Sequence, residues 1–79
     1  MKYVYILQTI NHPIHFYVGL TEDLKERLKA HNAGKVPHTS KSAPWKIKTY
    51  LAFSDEIQAN NFEKYLKSAS GRAFAKKRL

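Results

Sequence analysis

Five side chains in this sequence have types and spacing suited to cutting a phosphodiester. Tyr5 and Tyr17 lie in two short segments rich in β-branched and aromatic residues, Arg27 and His31 follow four positions apart, and Glu63 is a lone carboxylate further along. Together they supply two phenols, a permanently charged guanidinium, an imidazole that titrates near neutrality and one hard oxygen ligand. Singly, each has a plainer reading. A tyrosine is more often a core residue with a hydrogen-bonded hydroxyl, and Arg27 and His31 suit a solvated helix surface. Glu63 suits an i,i+4 ion pair with Lys67 worth about 0.3 to 0.5 kcal/mol. The other acids have local duties: Glu22, Asp23, Asp55 and Glu56 sit where helices should start, and Glu26 lies beside Lys25 and Lys29.

The elements that must position these groups are legible from periodicity. Lys2 to Gln8 alternates strand-forming residues, Asn11, His12 and Pro13 form a turn, and Ile14 to Leu20 is a second strand, so residues 3 to 20 read as a β-hairpin. Tyr5 and Tyr17 then come close across the pair. Thr21 is expected to cap the next helix, with Glu22 and Asp23 in its first turn, Leu24 and Leu28 on its buried stripe and Gly34 at the left-handed position that ends it. Residues 35 to 44 are a turn-rich basic loop. A third strand runs from Trp45 to Phe53, with Trp45, Ile47, Thr49 and Leu51 on one face. Ser54 caps a second helix whose apolar side is Ala59, Phe62 and Leu66, and Ser68 to Gly71 breaks the chain before a last helix from about Arg72 to Arg78. The expected fold is α+β: a small three-stranded antiparallel sheet flanked by helices, in the order β-β-α-β-α-α, forming one domain over residues 1–79.

Composition narrows the function classes. Fourteen Lys and Arg against six Asp and Glu give a net charge of +8 in 79 residues, which points to a polyanionic partner, normally nucleic acid. From residue 64 onward, Lys64, Lys67, Arg72, Lys76, Lys77 and Arg78 have no acidic neighbour, a pattern suited to a phosphate backbone. Hydrophobic residues at 43% suffice for one core. Cysteine is absent, which excludes disulfides and thiolate metal sites. No apolar run approaches the roughly 20 residues that cross a bilayer, and no signal-peptide core is present, so a cytoplasmic location without membrane association is the expectation.

Taken in order, the motifs resemble those of GIY-YIG nucleases in their small single-domain bacterial form. Tyr3-Val4-Tyr5 stands for the first motif and Tyr17-Val18-Gly19 for the second, with eleven residues between Tyr5 and Tyr17. Leu24-Lys-Glu-Arg27-Leu-Lys-Ala-His31-Asn32 resembles the arginine-bearing helix. Pro44-Trp45 resembles the opening of the later strand, and Ala59-Asn-Asn-Phe62-Glu63-Lys64-Tyr65-Leu66-Lys67 the glutamate helix. The match spans residues 3 to about 78. Tyr3 replaces the first motif's glycine, valines replace both isoleucines, and Ser68 and Ser70 are the nearest counterparts of the family's final polar residue.

The resemblance implies a divalent-metal-dependent endonuclease acting on DNA, structure-selective and related to repair or recombination. Glu63 would hold a single Mg²⁺ or Mn²⁺ whose other ligands are water and phosphate. Arg27 would stabilise developing negative charge, and Tyr5 and Tyr17 would orient or deprotonate the attacking water. His31 could receive that proton instead, so the base is Tyr5 assisted by His31 or His31 itself. Lys35, His38, Lys41, Lys46, Lys48, Lys67, Arg72 and Lys76 would contact phosphates, which carry no base readout. Targeting would then call for a dimer or a partner protein. Two other classes compete: a nucleic-acid-binding module that has lost cleavage, and a small ribosome-associated protein.

Overall fold

The computed structural model describes every residue of the chain except residue 12, so the part of the first turn that falls on His12 lies outside the described residues. Strand β1 (Lys2–Thr9) is central and pairs antiparallel with both β2 (Phe16–Thr21) and β3 (Trp45–Phe53), giving the order β2-β1-β3. Helix α1 (Leu24–Asn32) covers one face, while α2 (Glu56–Lys67) and α3 (Ala69–Arg78) lie on the other. The order is therefore β-β-α-β-α-α.

Side-chain alternation along β1 divides the core into two layers. Val4 and Ile6 pack with Ala59 and Leu66 of α2, joined by Val18, Leu20, Phe53, Phe62, Ala75 and Leu79. Tyr5 and Leu7 face the other way and pack with Trp45, with Tyr17, Ile47, Leu24 and Leu28 against them. Among the described residues, no helix is long and apolar enough to cross a membrane.

Several boundaries depart from the sequence reading for local reasons. Strand β2 starts at Phe16 and not at Ile14, because the Thr9 hydroxyl accepts the His15 N–H at 2.8 Å and donates to the Pro13 carbonyl at 3.3 Å. Thr21 is still paired with Tyr3 in the sheet, so the cap of α1 is Asp23, whose carboxylate accepts the Glu26 N–H at 3.1 Å. The Thr21 hydroxyl instead accepts the Asp23 N–H. One position is likewise gained at α2, where Asp55 and not Ser54 accepts from the N–H groups of Ile57 and Gln58. The final helix begins at Ala69, three residues earlier than expected, because Ser68 ends α2 and caps α3 by accepting the Gly71 N–H at 3.1 Å. Gly71 is no flexible break: a Cβ there would lie 1.7 Å from the Tyr65 carbonyl oxygen, so its missing side chain lets the two helices meet.

Strand β3 also differs in its facing. A bulge between Ile6/Thr49 and Leu7/Ile47 makes Lys48 an extra residue, so Trp45 and Ile47 face α1 while Phe53 packs in the α2 layer. Trp45, Ile47, Thr49 and Leu51 thus do not share one face. At the end of α1, Gly34 takes the left-handed conformation expected of it, with φ of 77°.

Candidate active site

Four of the five side chains converge on the α1 face of the sheet. Tyr5 comes from the central strand and is only 2% exposed. Its hydroxyl lies 2.9 Å from His31 Nε2 and accepts the Arg27 Nε–H at 3.3 Å. Tyr17, diagonal to it on β2, has its ring 6.4 Å from that of Tyr5 and 4.9 Å from the imidazole. Arg27 and His31 reach the same point because residues four apart on a helix share a side. Gly19, opposite Tyr5 in the register, makes the arrangement sterically allowed: a Cβ there would fall 2.3 Å from the Tyr5 hydroxyl.

Glu63 comes from the other layer. Its carboxylate pairs with Lys67 at 2.6 Å, so the plain ion pair is formed, yet its charge is also one of those that raise the pKa of Tyr5. Among the described residues there is no cluster of three or more acidic, histidine or cysteine side chains that could cage a metal. A single carboxylate with an oxygen-only donor set fits a hard divalent ion that keeps water and takes phosphate oxygens as its remaining ligands.

The model of the GIY-YIG catalytic domain matches residues 1–78. The chain belongs to the GIY-YIG family. A UPF0213 protein of Clostridium perfringens is 35% identical over 68 residues, covering 85% of this chain and 71% of that one. A UPF0213 protein of Streptococcus pyogenes is 33% identical over 72 residues (90% and 76%), and one of Lacticaseibacillus paracasei is 38% identical over 53 residues (66% and 60%). No solved structure matches the chain. The family is one of nucleases, in which divalent metals are the general rule.

The basic residues of this GIY-YIG domain do not form one cluster. Lys35, His38 and Lys41 are exposed on the loop that joins α1 to β3, whereas Arg72 and Lys76 are exposed on α3 in the opposite layer. Lys46 is exposed on β3; Lys48, at the bulge, donates to the carbonyl of Leu79. Lys67 is engaged by Glu63.

Two features of the site escape a reading of single residues. His31 is wholly buried, not a surface histidine; its place three residues after Leu28 and seven after Leu24, on the same helical stripe, was the available signal. Thr39 gave none. It is 1% exposed and its hydroxyl lies 2.7 Å from His31 Nδ1. The loop that carries it is clamped: Trp45 Nε1–H donates to the Thr39 carbonyl at 2.9 Å, and the Asn32 amide both accepts from Trp45 N–H and donates to its carbonyl.

Burial sets the protonation states. It pushes the Tyr5 phenol above its ordinary 10.0, with Arg27 opposing, and pushes His31 below its ordinary 6.5, with Arg27 acting in the same direction. Arg27 is raised further, first by its hydrogen bond to Tyr5. Stability should follow from these shifts. The unfolded chain takes up a proton on its histidine at 6.5 while folded His31 resists it, so stability contributed there falls as pH drops below 6.5. Unfolded tyrosine ionises at 10.0 while folded Tyr5 holds its proton, so stability is also lost as pH rises above 10.0. Urea midpoints measured across this range are expected to be highest between the two values.

Proposed function

We propose that this GIY-YIG domain is a divalent-metal-dependent endonuclease that hydrolyses phosphodiester bonds in DNA. The observation that carries the reading is the contact of Tyr5 with both Arg27 and His31, with Tyr17 packed against the same imidazole. Phenols are poor bases at neutral pH and burial holds the Tyr5 proton more firmly still, so in this reading Tyr5 does not ionise first but hands its proton to the imidazole it touches.

In this reading Arg27 presents a permanently charged fork to the charge that develops on the phosphate. Tyr5 and Tyr17 orient the attacking water, and the water's proton passes to the Tyr5–His31 pair. Glu63 would hold Mg²⁺ or Mn²⁺, which when bound supplies charge neutralisation at the scissile phosphate and leaving oxygen. Lys35, His38, Lys41 and Lys46 on one side and Arg72 and Lys76 on the other contact phosphates, with Lys48 and Lys67 joining them as they leave their present partners. Contacts of that kind position a duplex without reading bases. Selection is therefore by nucleic-acid structure, in branched, flapped or damaged DNA, with repair or recombination in the cytoplasm as the setting and a dimer or partner protein supplying the target.

A non-cleaving nucleic-acid-binding module is the competing reading, favoured by the occupation of Glu63 by Lys67. The two separate on labelled duplex, single-stranded, flap and four-way-junction DNA with Mg²⁺, Mn²⁺ or EDTA. Cleavage in either metal that EDTA abolishes, while binding persists, is the expected result. Binding without cleavage on every substrate and metal would sink the nuclease reading.

A further inference from the structure

We infer that Thr39 is a positioning residue which fixes the tautomer of His31, leaving Nε2 unprotonated to accept the proton of Tyr5. The inference rests on the nuclease reading for its catalytic meaning, but its structural content stands on hydrogen bonding.

The Thr39 hydroxyl carries one proton. It can donate that proton to the Val36 carbonyl, 3.3 Å away, and its oxygen can then accept from His31 Nδ1 at 2.7 Å. With Nδ1 protonated, Nε2 is a bare acceptor, and the Tyr5 hydroxyl donates to it at 2.9 Å while accepting from Arg27. Every donor and acceptor in this series from Arg27 to Val36 is then satisfied. The opposite tautomer fails this count. A protonated Nε2 would donate to Tyr5, whose oxygen already accepts from Arg27, and the phenolic proton would have no recorded acceptor among the described residues. Leaving a buried hydroxyl proton unbonded is costly, and Tyr5 is 2% exposed in the free protein.

The surroundings keep Nε2 free. His31 is faced by Tyr5 from β1, by Tyr17 from β2 and by Arg27 from its own helix, with Glu63 of α2 acting on Tyr5. Among the described residues the imidazole's partners are Tyr5, Tyr17 and Thr39, none of them acidic, and burial together with Arg27 disfavours its cation at rest. During attack the Tyr5 oxygen takes a proton from water as its own proton moves to Nε2. The products are hydroxide for attack at phosphorus, neutral Tyr5 and an imidazolium whose Nδ1–H remains bonded to Thr39. Asn32 and Trp45, which anchor the Thr39 backbone, hold the acceptor in place.

Long-range ¹H–¹⁵N NMR of the imidazole nitrogens reads the tautomer without any activity. For the wild type, protonated Nδ1 and unprotonated Nε2 are expected at neutral pH, and Thr39→Ser should preserve both. Thr39→Val removes the acceptor at nearly the same volume; the Nδ1–H signature should weaken, and kcat should fall about 10²-fold with little change in KM, at the lower end of what a positioned proton acceptor supplies. The acidic limb of the kcat profile should move with it, and Thr39→Ser should restore both. Protonated Nε2 in the wild type would overturn the inference. So would a folded Thr39→Val protein with an unchanged tautomer, and if that variant does not fold, the wild-type and Thr39→Ser spectra decide alone. Absence of wild-type cleavage with the expected tautomer would remove the nuclease reading and leave the assignment of Thr39 to His31 intact.

Discussion

Replacing Glu63 with glutamine or alanine is expected to bring metal-dependent cleavage to background while leaving the fold in place. The two effects separate because Glu63 has little structural work. Its partner Lys67 is 52% exposed at the side chain, and an ion pair of this kind one helical turn apart contributes about 0.3 to 0.5 kcal/mol. A domain of this size shifts its melting temperature by about 4 to 8 °C per kcal/mol, so the variants should melt within about 1 to 4 °C of the wild type. The apolar side of α2 that holds the helix to the sheet is Ala59, Phe62 and Leu66, none of which depends on the carboxylate. Catalytically the change removes the hard oxygen proposed to hold the metal. Metal ions supply several kcal/mol of transition-state charge stabilisation, and each 1.36 kcal/mol is tenfold, so a fall of about 10³-fold or more is expected. Single-turnover cleavage, anisotropy of labelled DNA without metal and circular dichroism check the three parts together. Full activity in Glu63→Gln would remove Glu63 from the site; lost binding or lost helix would assign it a structural role.

The residues that separate reading from outcome show what a sequence carries. Strand identities came through because alternation along Lys2–Thr9 and Trp45–Phe53 has a period no helix shares. The bulge at Lys48 did not, since burial still alternates through it and only the pairing partners reveal that the faces exchange. Helix starts were displaced by one or two positions at Asp23 and Asp55, where several adjacent residues can all cap and the end of the preceding strand decides. The candidate site was legible as far as its members sit on regular elements: Tyr5, Tyr17, Arg27 and His31 are brought together by one register and one helical turn. Thr39 lies in the irregular segment after α1, where no periodicity relates position to direction, so its contact with His31 follows only from the folded path of that loop. The spread of the basic residues over both layers has the same origin, because charge is counted along the chain while the face each lysine occupies is set by packing.

Gly19 joins the fold to the chemistry more tightly than any charged residue, and Gly19→Ala should cost both. The new methyl would sit 2.3 Å from the Tyr5 hydroxyl and 2.4 Å from Cζ, distances no Cβ tolerates. Tyr5 cannot yield cheaply: it is 2% exposed, packed with Leu7 and Trp45, and bonded to His31 and Arg27. Overpacking a core in this way costs about 1 to 3 kcal/mol, or on the order of 5 to 20 °C in melting temperature for a domain this small. Whatever movement relieves the clash takes the hydroxyl from its two partners, and a displacement of about 1 Å in such a group can cost 10²-fold in rate. Gly34→Ala is the control. Its Cβ would meet nothing closer than Ser40 at 3.9 Å, and only the φ of 77° opposes it, so roughly 1 kcal/mol should be lost with no change in cleavage at temperatures where both proteins are folded. Melting curves and cleavage rates for the pair distinguish a glycine required for backbone conformation from one required for the space beside a reacting group. Equal stability and equal activity of Gly19→Ala and the wild type would mean that Tyr5 has freedom its contacts do not suggest, and its placement between Arg27 and His31 would then carry no mechanism.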